Sequence, residues 1–182
     1  MERLESVFRG KNDGPESYRK NWRTEILTTI FEDPLRLGRR GTELLPTLLE
    51  THTPDAVVLM LGTNDCKTIF GASAEIIGKG IARLLEQINQ YADKMKVLVI
   101  SPIYLGEKVW QDGYDQEFSP ESVEVSKKLE PVYEKVAGKY GKRFMRAADY
   151  ASPSEADQEH MDGQSHKILA DAIYRKLEAE IL

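Results

Sequence analysis

Apolar and polar positions along the chain alternate between two periods. Ala56-Val57-Val58-Leu59-Met60-Leu61 and Lys96-Val97-Leu98-Val99-Ile100-Ser101 are short, nearly continuous apolar runs. Runs of this kind predict strands covered on both faces by helices. Arg143-Phe144-Met145-Arg146-Ala147-Ala148 is a third, weaker strand. Between these runs the apolar spacing lengthens to that of a helix. Ile77, Ile81, Leu84, Leu85 and Ile88 form one stripe, in a helix that Ser73 can cap and that runs to about Tyr91. Ser119-Pro120 opens the next helix with a cap and then proline at the first position, and its core face is Val123, Leu129, Val132, Tyr133 and Val136. The last helix starts at about Gln164 and buries Ile168, Leu169, Ala172, Ile173, Leu177 and Ile181. Residues 43–52 are also helical, with Thr42 as N-cap and Pro46 tolerated in the first turn.

The segments outside this alternation are less regular. Leu4, Val7 and Phe8 fit one face of a short helix, and residues 9–17, with Gly10, Gly14 and Pro15, form a loop. Thr24 to Phe31 reads either as a strand or as an extended connector, because its apolar positions do not alternate cleanly. Pro34 to Gly41 is a loop. Residues 102–119 form a long loop with Tyr104, Trp110, Tyr114 and Phe118, and a loop of that length after a strand is more often functional than idle. Its rings either wall an apolar pocket, with Trp110 and Tyr114 as candidates, or pack on the domain surface. Strand, helix, strand, helix, strand, helix implies an α/β protein: a doubly wound parallel sheet with helices on both faces. No linker, repeat or low-complexity segment divides residues 1–182, so a single domain is expected.

Composition acts mainly by exclusion. The formal net charge is −5, with acidic and basic residues mixed, and no basic stripe suggests a nucleic-acid partner. Arg36, Arg39 and Arg40 form the densest positive cluster and read as a solvated loop. The single cysteine, Cys66, excludes an internal disulfide and suits a reducing compartment. The start of the chain has no apolar signal core and no run approaches membrane-spanning length, so a cytoplasmic protein with no membrane partner is expected. His52, His160 and His166 lack metal-ligand spacing, so no metal is expected, and no glycine-rich phosphate loop is present.

Ligands of open parallel sheets bind beyond the carboxyl ends of the strands. Gly62-Thr63-Asn64-Asp65 follows the strand 56–61, and Asp157-Gln158-Glu159-His160 lies between the last strand and the last helix. Both segments therefore emerge on one edge. The Asn64 side-chain NH₂ can stabilise an oxyanion, Gly62 allows a close backbone turn, and Asp65 can hold that turn through backbone bonds. An ordinary strand-ending turn would favour the same residues. Asp157 can fix the tautomer of His160 and stabilise its imidazolium; alone, His160 reads as a surface histidine in an acidic loop with Glu155, Glu159 and Asp162. His166 packs or caps, and His52 bonds terminal carbonyls.

Val57–Asp65 and Asp157–His160, the latter followed by Ser165-His166-Lys167-Ile168-Leu169-Ala170, resemble the third and fifth conserved blocks of the SGNH (GDSL-type) hydrolases, in particular their arylesterase/acyltransferase-like branch. Thr28–Pro34, Gly38-Arg39-Arg40-Gly41 and Leu45-Pro46 resemble that branch between its second and third blocks, so the resemblance covers residues 28–182. It implies a three-layer, flavodoxin-like α/β/α fold and a serine hydrolase of carboxylic esters (lipase, esterase or acylhydrolase) acting on a small acyl ester without a cofactor. It further implies Asn64 as the oxyanion-hole asparagine, Gly62 as the glycine of the same block, and Asp157 and His160 as triad acid and base.

The chain departs from the family pattern at its beginning. The Gly-Asp-Ser block is absent, and Trp22–Leu27 contains no glycine for the second block. Residues 1–27 are therefore atypical, and one or two N-terminal strands are expected to be missing. Without the first strand, strand 56–61 exposes an edge that either Thr24–Phe31 or a second copy of the chain would fill, the latter giving a homodimer. The nucleophile is unknown. Cys66 is chemically capable but lies on the oxyanion-hole side with nothing nearby to lower its pKa. Ser17, Ser101 and Ser165 lack the strand-to-helix turn that exposes a nucleophile. The expected function is an SGNH-type carboxylic-ester hydrolase impaired in this chain; the alternative is a non-catalytic binding or assembly protein on the same scaffold. A coding sequence extending upstream to an in-frame Gly-Asp-Ser is a third explanation.

Overall fold

Lys96–Ser101 is the central strand, and Val97 to Ser101 are all buried because the strand is paired on both edges and covered on both faces. The computed structural model describes residues 29–32, 37–38 and 40–180. Their elements are α1 (Gly41–His52), β1 (Ala56–Leu59), α2 (Ala74–Tyr91), β2 (Lys96–Ser101), α3 (Pro120–Lys139), β3 (Arg143–Arg146) and α4 (Gly163–Glu180). Among the described residues the sheet has three strands in the order β1-β2-β3, all parallel. Val57 pairs beside Val97 and Leu59 beside Val99; Ile100 pairs beside Met145.

Side chains alternate across a strand, so β2 feeds two cores. Val97 and Val99 pack with Leu45 and Leu49 of α1, Ile77, Ile81, Leu84, Leu85 and Ile88 of α2, and Leu129 and Tyr133 of α3. Leu98 and Ile100 pack with Met145, Leu169 and Leu177, which brings α4 to the opposite face. This is the three-layer arrangement expected of the sequence, with three parallel strands among the described residues. The five apolar residues of the α2 stripe are wholly buried, each contributing about 1.5–3 kcal/mol relative to exposure.

Most boundaries agree with the apolar spacing. Ser73 Oγ accepts the Ile76 N–H at the start of α2, and α3 begins with a reciprocal Ser119–Ser122 capping box and Pro120. Several expectations need correction. β1 stops at Leu59 instead of Leu61, and its cover is incomplete: Val58 within it is 36% exposed and Met60, just beyond it, 39% exposed. Thr42 is not the N-cap of α1, which begins at Gly41; its hydroxyl donates instead to the Ile30 carbonyl at 3.3 Å. β3 ends at Arg146, and Ala147–Asp149 turn into a short 3₁₀ segment. Ile168 of α4 is 44% exposed, whereas Ala170 is buried. The expected helix at Leu4–Phe8, the loop 9–17, residues 24–28, Ser17, Arg36, Arg39 and Ile181 lie outside the described residues.

In the loop 102–119, Ile103, Leu105, Val109 and Phe118 are buried and anchor it to the core. Trp110 is 37% exposed. Among the described residues, no helix is long and apolar enough to cross a membrane.

Candidate active site

The turn after β1 is shaped by one buried phenol. Tyr133 of α3 is fully buried and its hydroxyl donates to the Leu61 carbonyl at 2.8 Å. Gly62 follows with φ +126°, and a Cβ there would lie 2.2 Å from the Tyr133 hydroxyl oxygen. Glycine is thus demanded twice, by backbone conformation and by space. Asn64–Cys66 then form a 3₁₀ turn, closed by the Lys67 N–H donating to the Asn64 carbonyl at 3.1 Å.

Asp65 has no solvent exposure, and its carboxylate accepts the N–H groups of Ile30 at 2.9 and 3.0 Å and Phe31 at 3.1 Å. These bonds fix the turn to backbone far away in the sequence, where the sequence pattern had pointed to neighbouring backbone groups. Cys66 is also buried, and its thiol donates to the Gly62 carbonyl at 3.3 Å. Burial, with the Asp65 charge beside it, pushes that thiol up to about 12, so it stays protonated and inert as a nucleophile.

Asp157 and His160 are bonded to each other. Nδ1 of His160 lies 2.9 Å from Asp157 Oδ2, while Asp157 Oδ1 accepts the backbone N–H groups of Glu159 (3.0 Å) and His160 (2.8 Å) and the Ser154 hydroxyl (3.2 Å). An ionised carboxylate only accepts, so Nδ1 carries the proton and Nε2 is left with its lone pair. Nε2 has no hydrogen-bond partner among the described residues, and the ring is 71% exposed. Nothing in the sequence marks Ser154 apart from its spacing, three residues before Asp157, at which its hydroxyl reaches the carboxylate. Its N–H also donates to the His160 carbonyl at 2.8 Å and its carbonyl accepts the Gln158 N–H at 2.9 Å, closing the loop on itself.

Burial works to raise the Asp157 carboxyl, but the Glu159 and His160 N–H groups and the imidazole hold it below its ordinary 3.8. Glu159 goes the other way: burial raises it above 4.5, Asp115 and Asp157 add to this, and His160 and Lys67 oppose it. The signs differ accordingly. Asp157 contributes stability above its unfolded value that is lost as pH falls through the lower folded value. The Glu159 contribution is complete below 4.5 and is lost as pH rises through the higher folded value. Carboxyl-carbon NMR titration should give an Asp157 midpoint below 3.8 and a Glu159 midpoint above 4.5; the reverse order would show that the backbone bonds to Asp157 do not persist in solution.

Three loops meet at this edge. Thr68, in the turn after β1, donates both its N–H (2.8 Å) and its hydroxyl (2.9 Å) to the Glu117 carbonyl. Gly106 N–H donates to the Gln158 carbonyl at 2.7 Å, and a Cβ on Gly106 would sit 2.3 Å from Gln158 Oε1. The loop 102–119 therefore bridges the Asn64 turn and the Asp157–His160 loop, and Glu159 feels both Lys67 and His160. Of the serines weighed, Ser101 is buried with its hydroxyl unbonded, and the Ser165 N–H bonds Asp162; neither contacts the imidazole. Ser17 lies outside the described residues.

Residues 13–167 match the profile of the GDSL-like lipase/acylhydrolase family. Among solved structures, Est24, a carbohydrate acetylesterase from Sinorhizobium meliloti, superposes with a TM-score of 0.76 at 30% identity, over 84% of this chain and 74% of that one. The aryl esterase of M. Smegmatis gives 0.75 at 26% identity, over 86% of this chain and 75% of that one. TesA, at 21% identity and a TM-score of 0.57 over 76% of this chain and 70% of its own, shares the fold. No curated protein matches the chain. With its parallel α/β/α architecture and a family match spanning most of its length, the chain belongs to the GDSL-like lipase/acylhydrolases, the SGNH ester hydrolases.

Proposed function

We propose that the chain carries the acid, base and oxyanion-binding side chains of a hydrolase for carboxylic esters of small acyl groups. The carrying observation is the 2.9 Å Asp157–His160 bond that leaves Nε2 unpaired on the sheet edge where Asn64 emerges. In the full reaction a serine hydroxyl attacks the ester carbonyl and its proton passes to Nε2. Asp157 stabilises the imidazolium, the Asn64 amide donates to the oxyanion, and His160 returns the proton to the leaving alcohol. Water then repeats the cycle on the acyl-enzyme. The name of one esterase neighbour, a carbohydrate acetylesterase, supports a short acyl group, and that of the other, an aryl esterase, supports ester hydrolysis.

The Gly-Asp-Ser block is absent from the sequence, and triad residues act as a unit. Hydrolysis of 4-nitrophenyl acetate by this chain is therefore expected at the residual level of a triad without its nucleophile, roughly 10³–10⁴-fold above the uncatalysed rate. His160→Ala should then change it by less than about tenfold, and a fluorophosphonate should not label the protein. No rate above buffer would overturn the ester-hydrolase reading. A large loss in His160→Ala together with labelling would show that the chain supplies its own nucleophile.

A single domain over residues 1–182 is part of this reading. So is a cytoplasmic location, supported by the lone, buried, unbridged cysteine. So is a homodimer formed through β1, the edge strand among the described residues, where Val58 is part-exposed. Light scattering is expected to give twice the 20.7 kDa chain mass; the monomer mass would remove the edge-pairing argument.

A further inference from the structure

Lys67 is the one buried lysine or arginine among the described residues, 5% exposed, and the ester chemistry gives it no task. It stands three residues after Asn64, at the joint between two short turns. Its N–H donates to the Asn64 carbonyl and its carbonyl accepts the Phe70 N–H, each at 3.1 Å. Its ammonium crosses to the loop 102–119, where it pairs with Asp115 Oδ2 at 3.2 Å and with the Glu117 carboxylate, and lies 5.2 Å from the centre of the Phe118 ring. Asp115 Oδ1 in turn accepts the Glu117 N–H at 2.9 Å, so the two acids are held in place for it. Burying an ammonium is costly unless it is paired, and a Gly-Thr-Asn-Asp turn needs no such anchor merely to turn.

We propose that Lys67 is a positioning residue that locks the Asn64 turn onto the loop 102–119, so that the Asn64 amide is aimed before charge develops on the ester. The inference rests on Asn64 being the oxyanion donor. A donor fixed in advance costs no reorganisation during reaction, and a small misplacement of a positioned group can cost up to ~10²-fold.

The test pairs Lys67→Met, which keeps length and loses charge, with Lys67→Arg, which keeps the charge. In hydrolysis of 4-nitrophenyl acetate, Lys67→Met is expected to lower kcat about tenfold with KM changed by less than about twofold. Lys67→Arg is expected to recover most of the loss. In an Asn64→Ala background, Lys67→Met should add less than about threefold. The same tenfold loss in that background, or no loss in the parent chain, overturns the proposal. Should Lys67→Met fail to fold, Glu117→Gln loosens the anchor from the other loop and is held to the same outcomes. The side-chain NH₂ resonances of Asn64 provide an arm independent of turnover: they should shift or broaden in Lys67→Met or Glu117→Gln and return in Lys67→Arg, and unchanged resonances overturn the proposal. If Asn64→Ala alone leaves hydrolysis unaltered, the oxyanion reading has failed, and the resonances still decide whether Lys67 orders the turn.

Discussion

Asn64→Ala is expected to lower hydrolysis of 4-nitrophenyl acetate about 10²–10³-fold, equivalent to roughly 3–4 kcal/mol of transition-state stabilisation. Asn64 leaves the end of β1 in a turn held from three sides: by Tyr133 on the Leu61 carbonyl, by Asp65 on the Ile30 and Phe31 N–H groups, and by Lys67 on the neighbouring loop. An amide donor so fixed interacts weakly with a neutral ester carbonyl and strongly with the oxyanion that forms from it. The loss should therefore fall on kcat, with KM nearly unchanged. A raised KM at constant kcat would mean that Asn64 only holds substrate. The contrast with His160→Ala is the useful part. A donor to the oxyanion serves any attacking group, whereas a general base without its nucleophile has little left to do.

Gly62→Ala is expected to destabilise the fold by about 3–5 kcal/mol, a large share of the about 5–15 kcal/mol available to a domain. Two effects add. The backbone at φ +126° is closed to side chains other than hydrogen, a strain of order 1–3 kcal/mol. The new methyl would also lie 2.2 Å from the Tyr133 hydroxyl oxygen, which cannot swing aside because that ring is fully buried and bonded to Leu61; overpacking of this kind costs about 1–3 kcal/mol more. Thermal unfolding should fall by about 10 °C for a chain of this size. Tyr133→Phe alone should cost about 1–3 kcal/mol by leaving the Leu61 carbonyl unpaired, but combined with Gly62→Ala it removes the clashing atom. The double variant should then be more stable than the sum of the two single losses predicts. Strict additivity would show that the strain lies in the backbone alone.

Much of the candidate site is legible in the sequence because its residues sit where strand and helix periods break. Asn64 follows an apolar run, and Asp157 and His160 fill the gap before an amphipathic stripe. The Asp157–His160 bond needed only local geometry, since a three-residue spacing in a tight loop lets the side chains meet. Ser154, Tyr133 and Lys67 were not legible as parts of the site. Ser154 looked like any loop serine, and Tyr133 like one more apolar position on the α3 face. Lys67 has its carboxylate partners Asp115 and Glu117 48 and 50 residues away, where no periodicity connects them. The incomplete cover over Val58 and Met60 is hidden from the sequence for a related reason. An apolar run records that a strand is compatible with burial, while Val58 and Met60 depend on what is packed over them.

The amino-acid sequence by itself determined the alternation of strands and helices, the edge of the sheet on which polar chemistry gathers, and the kinship to the SGNH hydrolases. Those properties are written in short-range spacing and in side-chain types, which survive without knowledge of distant contacts. Only the tertiary structure decided why Gly62 must be glycine, why Cys66 is inert, and how three loops from separate parts of the chain become one hydrogen-bonded rim. Those depend on close approaches, desolvation and buried charge pairing, which exist only once the chain has brought remote atoms within a few ångströms of one another.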